Sequence, residues 1–239
     1  MPGFVHYIPI LTTAIAIPFA ITLFRHWSAR GGPHVLWWAF GVALYGVGTF
    51  VEASVTLFGW SPGLFRAWYI AGALLGGAPL AQGTVYLLFG RRFAHTTAVL
   101  LLCVVVVAGT CVLLTPLDLA RVEPHRLTGQ VMEWQWVRRF SPFINIYAFL
   151  FLVGGAVLSA WRYRARPETR HRFVGNVLIA VGALLPGIGG TATRMGHTEA
   201  LYVAELLGLI LIQAGYRAVV QGPTHRAVTR GAEPARAQG

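Results

Sequence analysis

Glu52 and Glu205 are the residues whose surroundings call for chemistry. Glu52 stands in GVGTFVEASVTLFGW, residues 46–60, within an apolar stretch long enough to cross a bilayer. A carboxylate there costs on the order of 3 kcal/mol. Tyr45, Thr49, Glu52 and Thr56 fall on one face of a helix, and Tyr202, Glu205, Gln213 and Tyr216 form a second polar stripe near the other end of the chain. Lipid would tolerate neither stripe, so both are expected to face protein. Two carboxyl groups within hydrogen-bonding distance share one proton, an arrangement suited to proton coupling or to acid–base work.

The elements that must position these glutamates are transmembrane helices. Of 239 residues, 56% are hydrophobic and 11% are charged, whereas a soluble domain carries about 25% charged residues. Seven segments are long and apolar enough to span: 4–24, 35–58, 67–89, 96–114, 142–161, 173–193 and 200–220. The expected fold is an all-α integral membrane protein with one seven-helix domain over residues 1–220. Residues 221–239, short, polar and rich in Pro, Gly and Arg, read as a disordered basic tail. The first segment reads as a helix rather than a cleaved signal, because nothing basic precedes it and FRHWSAR has no A-x-A site.

Charge sets the expected orientation. All 19 basic residues are Arg, and sorting them by segment end puts 13 on one side and six on the other. The rich side holds Arg162, Arg164, Arg166, Arg170 and Arg172 of the fifth connection together with the tail. The positive-inside rule then places the N-terminus outside and the C-terminus in the cytoplasm. The basic face is expected to meet anionic lipid headgroups rather than nucleic acid. The Ala-, Gly- and Arg-rich, Lys-free composition points to a GC-rich bacterial genome, hence to the inner membrane of a bacterial cell.

At 1.5 Å per residue, Glu52 lies about 9 Å from the outer end of its helix and Glu205 about 8 Å from the outer end of the seventh. The same outer half carries Arg194, Glu199, Tyr202, Tyr69, His6 and Asn145, and Tyr45 and Thr49 share the Glu52 stripe. The inner half holds only the neutral Gln82, Tyr86, Asn176 and Gln213. An outward-facing polar cavity is the expected site. The blander reading pairs Glu52 with Arg194 as a buried clamp and leaves Glu199 as a favourable charge at a helix N-terminus.

Small residues recur along the third segment (Gly72, Gly76, Pro79, Gly83) and along the sixth (Ala180, Ala183, Gly187, Thr191). Such stripes let helices approach closely in lipid, so both helices are expected to be central. The fourth segment is apolar on every face and should lie at the periphery. The long outer loop 115–141 carries Trp134 and Trp136, which read as interfacial anchors or as part of a lid. AWYIA at 67–71 echoes ALYVA at 200–204, pointing to a three-plus-one-plus-three pseudo-repeat.

Several functions are excluded or unsupported. Without Lys there is no retinal Schiff base. The histidines do not face each other within the bundle, as bis-His haem ligation requires. No metal-ligand spacing, no G-x-S-x-G, no Walker sequence and no CxxC is present. Cys103 and Cys111, eight residues apart on one helix, cannot bridge each other. No catalytic residue, metal or cofactor is assigned. Three classes remain: a protein that binds or senses a small ligand and signals through a partner, a proton-coupled small-molecule transporter, and an intramembrane enzyme acting on a lipidic substrate. The binding reading is preferred, because charge gathers in the outer half.

The topology has a direct check. In a C103A/C111A background, a cysteine replacing Arg166 should resist an impermeant maleimide in intact cells and react after the membrane is opened. Labelling in intact cells would invert the topology.

Overall fold

The computed structural model describes residues 4–123 and 127–220, apart from the side chains of Arg194 and Thr198. The expected tail, 221–239, lies outside the described residues. Seven helices long and apolar enough to cross a membrane account for nearly all of the chain: α1 (Phe4–Arg30), α2 (Pro33–Phe58), α3 (Pro62–Leu88), α4 (Arg91–Leu114), α5 (Gln135–Tyr163), α6 (Pro167–Thr193) and α7 (Glu199–Val220). This is the architecture of a multi-pass membrane protein. An isolated β bridge pairs Leu117 with Met132. Several helices run past the apolar segments into polar and basic ends, because hydropathy marks only the part that must be dry.

Backbone chemistry sets the turns. Gly31 and Gly32 adopt φ of 69° and 97°, values that favour glycine. Pro33 follows as the first residue of α2, where its missing N–H is no loss. The resulting tight connection lays α1 against α2. Ser61 caps the start of α3 by accepting the Leu64 N–H at 3.3 Å.

α3 is the most enclosed helix, and it is broken. Its first turns give way to a π-helical segment, Tyr69–Leu74, and regular helix resumes only at Ala78–Leu88. Pro79 lacks the N–H that would bond to Leu75, and its ring crowds that carbonyl. The Ala73 carbonyl is instead satisfied from α5, by the Ser141 hydroxyl at 2.9 Å and the Asn145 amide at 3.4 Å. α5 has its own π segment, Phe149–Val153. Non-helical backbone at membrane depth persists only where protein covers it, and α3 is covered by α2 and α5.

α6 differs from the central position expected for it: it is the least enclosed of the seven and packs on α5 and α7. Its contact with α7 runs through Gly175, Gly182 and Gly189, seven residues apart, rather than through Gly187. An added Cβ on Gly182 would lie 2.6 Å from the Gly208 carbonyl, and one on Gly175 2.7 Å from the Gly215 carbonyl. A seven-residue period along two antiparallel helices is the spacing of a coiled-coil seam. The small residues of α6 therefore join it to one neighbour and do not bring it to the centre.

The described parts of loop 115–141 fold as short 3-10 turns against the ends of α3, α4 and α5. Leu127, Val131, Met132 and Val137 are buried with Phe65 and Tyr69, and the Arg66 guanidinium donates to the Thr115 carbonyl at 3.1 Å. Trp134 and Trp136 stack at 6.2 Å and are exposed.

The α6–α7 seam yields a stability prediction. Gly208→Ala forces a methyl onto the Gly182 carbonyl and should destabilise the protein by about 1–3 kcal/mol, seen as a lower thermal midpoint. Gly187→Ala has open space around its new methyl and should leave the midpoint unchanged or raise it.

Candidate functional site

Two close approaches between helices build the site. An added Cβ on Gly48 of α2 would sit 3.3 Å from the Gly72 Cα of α3, and one on Gly46 3.0 Å from the Ala16 Cβ of α1. α2 is thus held against both neighbours where its polar stripe begins. One turn beyond Gly48 lies Glu52. One turn back from Gly72 lies Trp68. Because α2 and α3 run antiparallel, these two side chains meet, and the Trp68 indole N–H donates to Glu52 Oε1 at 2.9 Å.

α7 supplies the second carboxyl. The Tyr45 hydroxyl donates to the Glu205 backbone carbonyl at 2.9 Å, tying α7 to α2. The Glu52 and Glu205 side chains lie within hydrogen-bonding reach of each other. Such a bond needs a proton between the two carboxyl groups. If both were ionised about 4 Å apart, they would repel by about 4 kcal/mol at an effective dielectric constant near 20.

The surroundings are aromatic and hydroxyl-bearing. Tyr202 is buried, and the His6 ring meets it edge-on at 5.9 Å. Thr13 and Thr49 hydrogen bond at 3.0 Å across α1 and α2. The Thr56 hydroxyl lies within reach of the His6 carbonyl at 3.2 Å and the Glu52 carbonyl at 3.1 Å. Glu52 is only 4% exposed, and Glu205 is half-buried. Glu52 Oε2 and Glu205 Oε2 are both enclosed without a hydrogen-bond partner. A carboxylate oxygen left so is costly, and each such atom needs a reason.

The other sequence candidates divide clearly. Glu52, Glu205, Tyr45, Thr49, Tyr202 and His6 gather at the junction of α1, α2 and α7. Tyr69 instead faces the loop: an added Cβ on Gly129 would come 2.8 Å from its ring. Asn145 is committed to the broken backbone of α3. Glu199 is exposed in the first turn of α7. The Arg194 side chain, and with it the expected clamp with Glu52, lies outside the described residues. In the loop, Arg121 forms an ion pair with Asp118 at 2.9 Å. Among the described residues no three His, Cys, Asp or Glu side chains converge as metal ligands.

Trp68 is the residue that sequence reasoning missed. It adjoins Tyr69 within the AWYIA stretch, and a Trp inside a helix must find an acceptor for its N–H. That need, set against an acid at similar depth on the preceding helix, is the signal that would have found it.

Farther along the bundle, Gln82, Tyr86 and Asn176 are committed to structure, while Gln213 is half-buried on α7. Gln82 donates to the Ala94 carbonyl at 2.9 Å and to Thr97 at 3.2 Å, and accepts from the Tyr147 hydroxyl. Tyr86 pairs with His95 and Asn176 donates to the Arg172 carbonyl. Between Glu205 and Tyr216 on α7 lie Leu209 and Ile212, buried with Phe19 and Val42. Beyond that apolar layer Tyr216 hydrogen bonds to His26. Compared with protein families, with characterised proteins and with solved structures, the chain matches none.

The Trp68–Glu52 bond can be tested by a double-mutant cycle. Trp68→Phe removes the donor and should cost about 1–3 kcal/mol of stability. In a Glu52→Leu background, where no acceptor remains, the same change should cost distinctly less. Equal costs in the two backgrounds would mean that the bond contributes nothing.

Proposed function

We propose that this multi-pass protein binds a small ligand at the Glu52–Glu205 cluster, from the outer side of the bacterial inner membrane, as a binding or sensing protein that acts with a partner. The observation that carries this reading is the pair of enclosed carboxyl oxygens, one on each glutamate, that receive no donor from any other residue and have only a proton shared between them. A group that only accepts hydrogen bonds and has no donor is a place for something that brings one.

The arginine distribution supports an external N-terminus and a cytoplasmic basic face against anionic headgroups. With that orientation, the end of the bundle that carries His6, Tyr7 and Glu199 faces outward. The three-plus-one-plus-three relation belongs to the same proposal. Its echoing tyrosines, Tyr69 and Tyr202, are both buried.

Proton-coupled transport is the second reading, favoured by the two carboxyl groups lying within reach of a shared proton. A transporter also needs a polar route onward. The commitment of Gln82, Tyr86 and Asn176 to other bonds, and the apolar layer of Phe19, Val42, Leu209 and Ile212, weigh toward binding.

A thermal-shift screen on purified full-length protein, repeated with Glu52→Gln, tests the reading. At least one compound should raise the melting temperature of the wild type and fail to do so in the variant. If no compound shifts the wild type while Glu52→Gln sharply lowers its stability, the carboxyl pair is structural.

A further inference from the structure

We infer that the ligand of the Glu52–Glu205 cluster is a primary ammonium compound, an inference that rests on the binding reading above. Glu52 is 4% exposed, yet its Oε2 and the Oε2 of Glu205 receive no donor from any other residue, only the proton that the two carboxyl groups can share. Both atoms only accept hydrogen bonds, and both belong to groups that turn negative on losing a proton. The matching ligand group donates more than one hydrogen bond and carries positive charge. A primary ammonium has three N–H donors and one unit of charge, so a single head can bridge the two oxygens and replace the proton between the carboxyl groups.

Competing ligand classes fit less well. An anion would meet two carboxyl groups. A neutral hydroxyl offers one donor for two vacant acceptors. A divalent metal lacks a third ligand among the described residues. Sodium is the competing monovalent cation, because the Thr hydroxyls that donate to carbonyls keep their own lone pairs, and titration separates it from an ammonium. A quaternary ammonium has the charge without the donors. The aromatic groups nearby, Trp68, Tyr202 and His6, suit a cation with an apolar body, because ring faces attract positive charge and line the site with carbon. Glu199, exposed in the first turn of α7, adds attraction for cations at that end of the bundle.

The experiment is titration calorimetry on the full chain in lipid nanodiscs at neutral pH. Probes are n-propylammonium, tetramethylammonium, 1-butanol, butyrate and sodium chloride, each up to millimolar concentration against a fixed buffer cation. n-Propylammonium should bind, with tetramethylammonium and 1-butanol at least ten-fold weaker and butyrate and sodium silent. Glu205→Gln and Trp68→Phe should each weaken n-propylammonium by about ten-fold. Glu52→Asp keeps the charge while retracting it by one methylene and should also weaken it, which guards against misfolding of Glu52→Gln. Tetramethylammonium binding as tightly as n-propylammonium would show that donors are not needed and overturn the primary-ammonium class. Binding by 1-butanol, butyrate or sodium that is lost in Glu205→Gln would overturn the class while leaving a ligand at these glutamates. Silence of every probe on folded wild-type protein also overturns it, and the thermal-shift screen then decides separately whether the cluster binds anything.

Discussion

Inside a membrane a polar group has no water to fall back on, and in this protein that constraint falls most heavily on the carboxyl of Glu52. Everything around it follows from the need to keep it away from lipid. α1 and α7 close one side, α3 closes another, and Trp68 supplies the donor that one oxygen requires. The same constraint makes the unmet oxygens of Glu52 and Glu205 informative. At membrane depth such oxygens can draw only on a proton shared between the two carboxyl groups or on a donor brought from outside the chain.

Glycines make the enclosure geometrically feasible. At Gly48 and Gly72 two backbones approach closely enough for side chains one turn away to touch. A larger residue at either position would separate α2 from α3 and take Trp68 away from Glu52. The seam of α6 with α7 uses glycine differently, as a long zipper that fixes α7 against one partner and leaves its other face for α1 and the carboxyl cluster. Close packing thus serves position in one place and rigidity in the other.

The two π-helical segments show how irregular backbone is accommodated. Pro79 breaks α3 at membrane depth, and α5 repairs the break by lending Ser141 and Asn145 to the Ala73 carbonyl. Gln82, one turn beyond, is saturated by α4 and α5. This half of the bundle spends its polar side chains on its own architecture. The junction of α1, α2 and α7 keeps enclosed carboxyl oxygens unspent, and the division between the two halves is what separates a site from a scaffold here.

What the sequence by itself determined was the number of helices, their apolar spans and the two glutamates that lipid could not surround, because hydropathy and helical periodicity are local properties of the chain. It also marked Tyr45, Thr49, Tyr202 and His6, which gather around the pair. It placed Asn145 and Tyr69 with them on depth alone, since depth follows from residue counting, and it made α6 central on the strength of its small residues. Rotation of each helix about its axis and the choice of neighbour belong to tertiary packing. That packing turned Asn145 toward the broken backbone of α3 and Tyr69 toward the loop, moved α6 to the edge, and brought Trp68 to Glu52. Residues far apart in sequence meet only when helices cross at particular points, and those crossings are set by steric fit between surfaces, which no single segment contains.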